Sequence, residues 1–76
     1  MNDSEVLLRR AKDMKVEESG SAFAALLREK GDEKSVAWVV TALNHLSHIV
    51  MGERMFGFLV SRSNVNLGIL AKVYAV

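Results

Sequence analysis

The chain has 76 residues, half of them apolar, with ten basic and nine acidic side chains and no cysteine. That length allows one domain spanning residues 1–76, and a chain so short buries only about 60% of its unfolded surface, so its own core is marginal. Disulfides and cysteine-based metal sites are excluded. A formal net charge of +1 gives no bulk pull toward nucleic acid or anionic lipid.

The charges are unevenly placed. Residues 1–34 carry 15 of them, and residues 35–76 carry four: Glu53, Arg54, Arg62 and Lys72. That second stretch holds 25 apolar residues. An isolated small domain needs a polar skin, so this half must be covered by the first half or by another molecule. Self-association is a common remedy for marginal cores. The acidic start, Met1-Asn2-Asp3-Ser4-Glu5, does not read as a secretory signal. The longest apolar window, residues 36–51, is interrupted by Thr41, Asn44, His45, Ser47 and His48, so no membrane span is expected. Together with the absence of cysteine, this fits a cytoplasmic protein.

There is no proline and no alternating strand pattern, while helical spacing recurs. The expected fold class is therefore all-α, a small dimeric bundle of four to five helices. The first helix is predicted over residues 4–18, capped by Asp3 or Ser4, with Val6, Leu7, Ala11 and Met14 as its apolar stripe. Ser19-Gly20-Ser21 reads as a break. A second helix over residues 21–30 places Phe23, Leu26 and Leu27 on one face, with Gly31 as its left-handed C-terminal cap. Asp32 then caps a third helix over residues 33–51. Val36, Val39, Val40, Leu43, Leu46 and Val50 cover one side, widened by Trp38, Ala42 and Ile49, and so broad an apolar surface implies burial on several sides. A short segment, residues 53–60, carries Met55, Phe56, Phe58 and Leu59. Ser61-Arg62-Ser63-Asn64 is a turn signal, with Ser63 or Asn64 capping a last helix over residues 65–75 that bears Leu67, Leu70, Ala71 and Tyr74.

Chemistry-bearing constellations are few. His45 and His48 stand three apart on the predicted third helix and could turn both rings to one side, but a third and fourth donor are missing nearby, so no metal is expected. The same pair could make a pH-sensitive contact. There is no cysteine nucleophile and no glycine-rich phosphate loop, and the carboxylates are mixed with Lys and Arg as on a solvated surface. The expectation is a protein without enzymatic activity, cofactor or small-molecule substrate. Trp and Tyr are frequent interface anchors, and Met is adaptable packing material on binding surfaces. The candidate protein interface is therefore Trp38, Met51, Met55, Phe56, Phe58, Leu59, Leu67, Leu70 and Tyr74.

The candidate nucleic-acid segment is Val60-Ser61-Arg62-Ser63-Asn64-Val65. It resembles the V-S-R-S-x-V stretch that opens the recognition helix in many helix-turn-helix proteins. Residues 64–73 resemble the closing helix of small addiction-module antidote proteins, and residues 24–43, with Gly31-Asp32 between helices, resemble their leading helices. The resemblance implies a DNA-binding regulator in which Ser61, Arg62, Ser63 and Asn64 read DNA. Three departures weaken it: residues 52–64 are too few for both reading helices, Val65 stands where the family has proline, and Leu59 replaces the tight-turn glycine. The leading expectation is thus a small regulator, inhibitor or adaptor, of the kind phages and plasmids carry. It would bind a protein partner or its own copy through an apolar helical face, with antitoxin-type DNA binding as the alternative.

Overall fold

The computed structural model describes residues 2–75. They form five helices: α1 (Asp3–Ala11), α2 (Val16–Glu29), α3 (Glu33–Asn44), α4 (Glu53–Arg62) and α5 (Leu67–Ala75), with no strand among the described residues. The radius of gyration is 11.1 Å, against about 11 Å for a folded chain of this length. One buried cluster draws on every helix, from Ala11 of α1 through Phe23, Val36, Leu43 and Leu59 to Leu70 of α5. Two packings dominate: α4 lies on α2, and α5 lies on α3. Among the described residues, no helix is long and apolar enough to cross a membrane.

The first two helix boundaries differ from the sequence expectation. Asn2, not Asp3 or Ser4, caps α1, its side-chain oxygen accepting from the Glu5 amide at 2.9 Å. The chain breaks at residues 12–15, where the amides of Asp13 and Met14 bond three residues back to Arg10 and Ala11. Ala11 is fully buried at this turn, whereas Val6, expected on the inner stripe, is exposed. Ser19-Gly20-Ser21, read as a break, lies inside α2.

Packing explains that reversal. Ser19 and Gly20 are buried, and an added Cβ on Gly20 would stand 3.3 Å from Met55 Sδ and 3.4 Å from the Phe58 ring. Glycine costs helix stability by about 1 kcal/mol relative to alanine, but here it lets α4 approach the α2 backbone. The burial of Met55 and Leu59 on α4 returns roughly 1.5–3 kcal/mol each. The Ser19 hydroxyl is buried without a hydrogen-bond partner.

The later boundaries shift as well. Gly31 is not left-handed, because no described residue has positive φ; α2 ends in extended backbone at Lys30. Asp32 holds the N-cap position of α3, and its carboxylate accepts the Ser35 hydroxyl. That bond is the main cause holding the Asp32 pKa below its usual 3.8. The third helix ends at Asn44, not at Met51. The amides of Leu46 and Ile49 bond three residues back in successive turns, sending Leu46 and Ile49 into the core while Val50 is 84% exposed. α4 runs two residues past the predicted segment, and α5 is capped by Asn66, whose side chain accepts from the Gly68 amide at 2.6 Å.

Two measurements check these assignments. In chemical unfolding, Ser19→Ala should be neutral or stabilising by up to about 1 kcal/mol, since an unpartnered buried hydroxyl is removed. Gly20→Val should cost about 1–3 kcal/mol by overpacking the α2–α4 crossing. For Asp32 the folded pKa is depressed, so its contribution is present above 3.8 and lost as pH falls through the lowered value. Asp32→Ala should therefore lower the melting midpoint at pH 7, and the gap to wild type should narrow in acid below 3.8.

Candidate interaction surface

α5 is apolar almost all round, so its two sides must be told apart by burial. Leu70 is 2% exposed and points into the core, with Ile69 and Val73 half-buried beside it. On the flank next to Leu70, Leu67 is 64% and Tyr74 54% exposed, and Ala71 and Gly68 are exposed between them. Leu67, Ala71 and Tyr74 follow the i, i+4, i+7 spacing that aligns side chains along one helical strip. The strip carries no charge. Lys72, the helix's only charged residue, reaches aside to Glu33 of α3 at 3.3 Å. Both groups are more than half exposed, so that pair is worth at most about 1 kcal/mol.

The two ends of the strip are held differently. At its start, the Ser63 hydroxyl donates to the Leu59 carbonyl and accepts from the Val65 amide at 3.2 Å. This turns the chain from α4 into the linker, and Asn66 then starts α5. At its end, Tyr74 meets Phe56 of α4 edge-on, with ring centroids 4.6 Å apart and planes at 73°. Such a pair adds about 0.5–1.5 kcal/mol beyond area burial. It extends the apolar face from α5 onto α4. Tyr74 also borders an open groove of about 790 Å³ between α3 and α5, where Ala37, Val40 and Val73 line the apolar part and Glu33 and Lys34 add charge.

The expected interface residues separate into three groups. Met55, Leu59 and Leu70 are 0–2% exposed. They are core residues of the folded chain, because the α2–α4 and α3–α5 packings already cover them, so they are corrected from surface anchors to core. Phe56, Leu67 and Tyr74 are gathered on the α4–α5 side. Trp38 lies elsewhere: it is 36% exposed, packs on Phe23 at 6.1 Å between centroids, and faces a hollow shared with Asn2, Ser4, Lys30 and Ser35. Met51 and Phe58 are half-buried; Phe58 borders a smaller hollow of about 340 Å³ with Val16, His48 and Val50. Arg54 and Glu17, paired at 3.0 Å, bring charge to that α2–α4 region. Ala71 and Gly68 were not among the sequence candidates. Their signal was available in the spacing of Leu67 and Tyr74 around two small residues.

The Ser61-Arg62-Ser63-Asn64 stretch closes α4 instead of opening a recognition helix. Ser61 bonds back to the Phe58 carbonyl at 3.3 Å, Ser63 is buried, and Asn64 is exposed in the linker. The Arg62 guanidinium donates to Ser21 Oγ at 3.2 Å and lies 4.5 Å over the Phe58 ring. Arg28 donates to the Arg62 carbonyl. Both cations therefore sit at a helix C-terminus, where the free carbonyls favour positive charge. His45 and His48 lie in turns after α3, so the helical i, i+3 pairing is lost. Among the described residues, no group of three His, Cys, Asp or Glu side chains is placed to hold a metal ion. No family model, curated protein or solved structure matches the chain.

Stability measurements distinguish the two sides of α5. Leu67→Ser should change the unfolding free energy by less than about 0.5 kcal/mol. Leu70→Ser should cost about 3–5 kcal/mol, because it opens a cavity and buries a hydroxyl. Equal effects would mean that Leu70 does not face the core.

Proposed function

We propose that this chain is a small, non-enzymatic protein-binding regulator, inhibitor or adaptor whose working surface is the outer face of α5 with the adjoining Phe56. The observation that carries the reading is the uncharged strip Leu67–Ala71–Tyr74, exposed on a short helix in a chain with a marginal core. Protein interfaces are depleted of charge at their centres and enriched in aromatic side chains. Tyr74 has an interface anchor's character: an amphipathic ring, steadied on one edge by Phe56 and open on the other. Affinity would come from excluding water around Leu67 and Tyr74 and not from ion pairs, so it would change little with salt.

DNA binding by Ser61, Arg62, Ser63 and Asn64 draws less support. Arg62 is already engaged by Ser21 and Phe58, and Ser63 by the backbone on either side of it. A phosphate at this place would approach the carbonyl end of α4, against the helix dipole.

A photo-crosslinking side chain placed at position 67, in the cells that make the protein, tests the surface directly. Irradiation should produce covalent adducts with protein from position 67 and few or none from the solvated position 12. Equal yields from the two positions would contradict the proposal.

A further inference from the structure

We infer that the groove between α3 and α5 binds a small organic anion with an apolar body. The groove holds about 790 Å³, within the roughly 300–1,000 Å³ typical of small-molecule sites. Ala37, Val40 and Val73 form its apolar floor and Tyr74 gives it an aromatic edge. Val40 is 6% exposed, and Ala37 and Val73 are half-buried, so the floor is continuous with the core. Polar groups stand at the two ends: Lys34 at one, Thr41 and Asn44 toward the other. Lys34 and Asn44 are ten residues apart on α3, so the wall between them is about 15 Å long.

The polar groups of α3 divide into those already engaged and those left over. Ser35 donates to Asp32, and Glu33 is held by Lys72 at 3.3 Å. Among the described residues, Lys34 makes no ion pair, and the Thr41 and Asn44 side chains make no hydrogen bond. All three line the groove. With Glu33 neutralised by Lys72, Lys34 is the uncompensated charge there. It stands in the first turn of α3, where the free amides add the positive end of the helix dipole. That end therefore favours an anionic head. The floor takes an aliphatic or aromatic body, and the hydroxyl of Thr41 and amide of Asn44 can bond its far end. In so open a groove, a ligand of about 20 non-hydrogen atoms binds at roughly tens of micromolar at the tightest. Occupancy of the groove is independent of what the Leu67–Ala71–Tyr74 strip binds.

Anilinonaphthalene sulfonate, an aromatic body with an anionic head, is a suitable probe, and N-phenylnaphthylamine is its uncharged counterpart. Both can be titrated into the full chain while amide shifts are followed by nuclear magnetic resonance. The sulfonate should move the amides of residues 34–44 and 73–74, and Lys34→Gln should weaken it at least threefold. Lys12→Gln removes the same charge from exposed surface elsewhere and should leave its affinity unchanged. Affinity for the uncharged counterpart should not respond to Lys34→Gln. Thr41→Trp, at an exposed position that lines the groove, should fill it and weaken both probes at least tenfold. Spectra of the free variants matching wild type establish that they are folded; if Thr41→Trp is not, the two lysine variants decide the question. Shifts centred on Leu67 or on the hollow beside Phe58 would overturn the inference. So would equal losses from Lys34→Gln and Lys12→Gln, or no shift up to millimolar probe.

Discussion

Gly20 has no side chain where α2 and α4 meet, and the rest of the molecule follows from what fills that place. Met55 Sδ and the Phe58 ring lie against the α2 backbone there, at distances that would crowd even one added carbon. With α4 held so closely, Met55 and Leu59 are committed to the core. Phe56, one residue on from Met55, is carried to another flank, where it meets Tyr74. The apolar residues of the second half of the chain are thus largely absorbed by internal packing. The apolar surface left over on α5 flanks Leu70, which the core has already taken.

The two helix packings have different consequences. α2 is amphipathic and meets α4 closely at Gly20. α5 is apolar nearly all round and meets α3 along one side only. An exposed leucine alone needs no explanation, since much of any protein surface is apolar. Leu67, Ala71 and Tyr74 differ because they are contiguous on one helix, uncharged, and continued by an aromatic pair onto a second helix.

The all-helical character was legible from helical spacing and the absence of proline, and the core positions Phe23, Leu27, Val36, Val39 and Leu43 were legible from their 3.6-residue period. The breaks were not. Ser19-Gly20-Ser21 has poor helix propensity, yet the close crossing with α4 outweighs it. Lys12 to Lys15 holds no glycine or proline, yet the chain turns there, with Ala11 buried and Met14 half-buried. Local propensity is weak beside tertiary packing. The exposed face of α5 was legible only in part for a related reason. In a helix as uniformly apolar as α5, periodicity cannot say which side faces the core, so Leu70 and Leu67 looked alike. Lys72 was the single polar marker. The likeness of residues 60–65 to a recognition helix failed to predict local structure because the same Ser-Arg-Ser pattern serves equally well to end a helix, with Ser63 bonding back to Leu59.

If the α5 strip joins two copies, the mass in solution must depend on both concentration and that strip. Sedimentation of the wild-type chain and of Leu67→Asp, across low to high micromolar concentration, measures this most directly. The wild-type average mass should rise from 8.4 kDa toward twice that value, while the folded variant stays at the monomer mass throughout. A wild-type chain that remains at 8.4 kDa over the whole range, or a variant that associates as strongly as wild type, would contradict pairing through the strip.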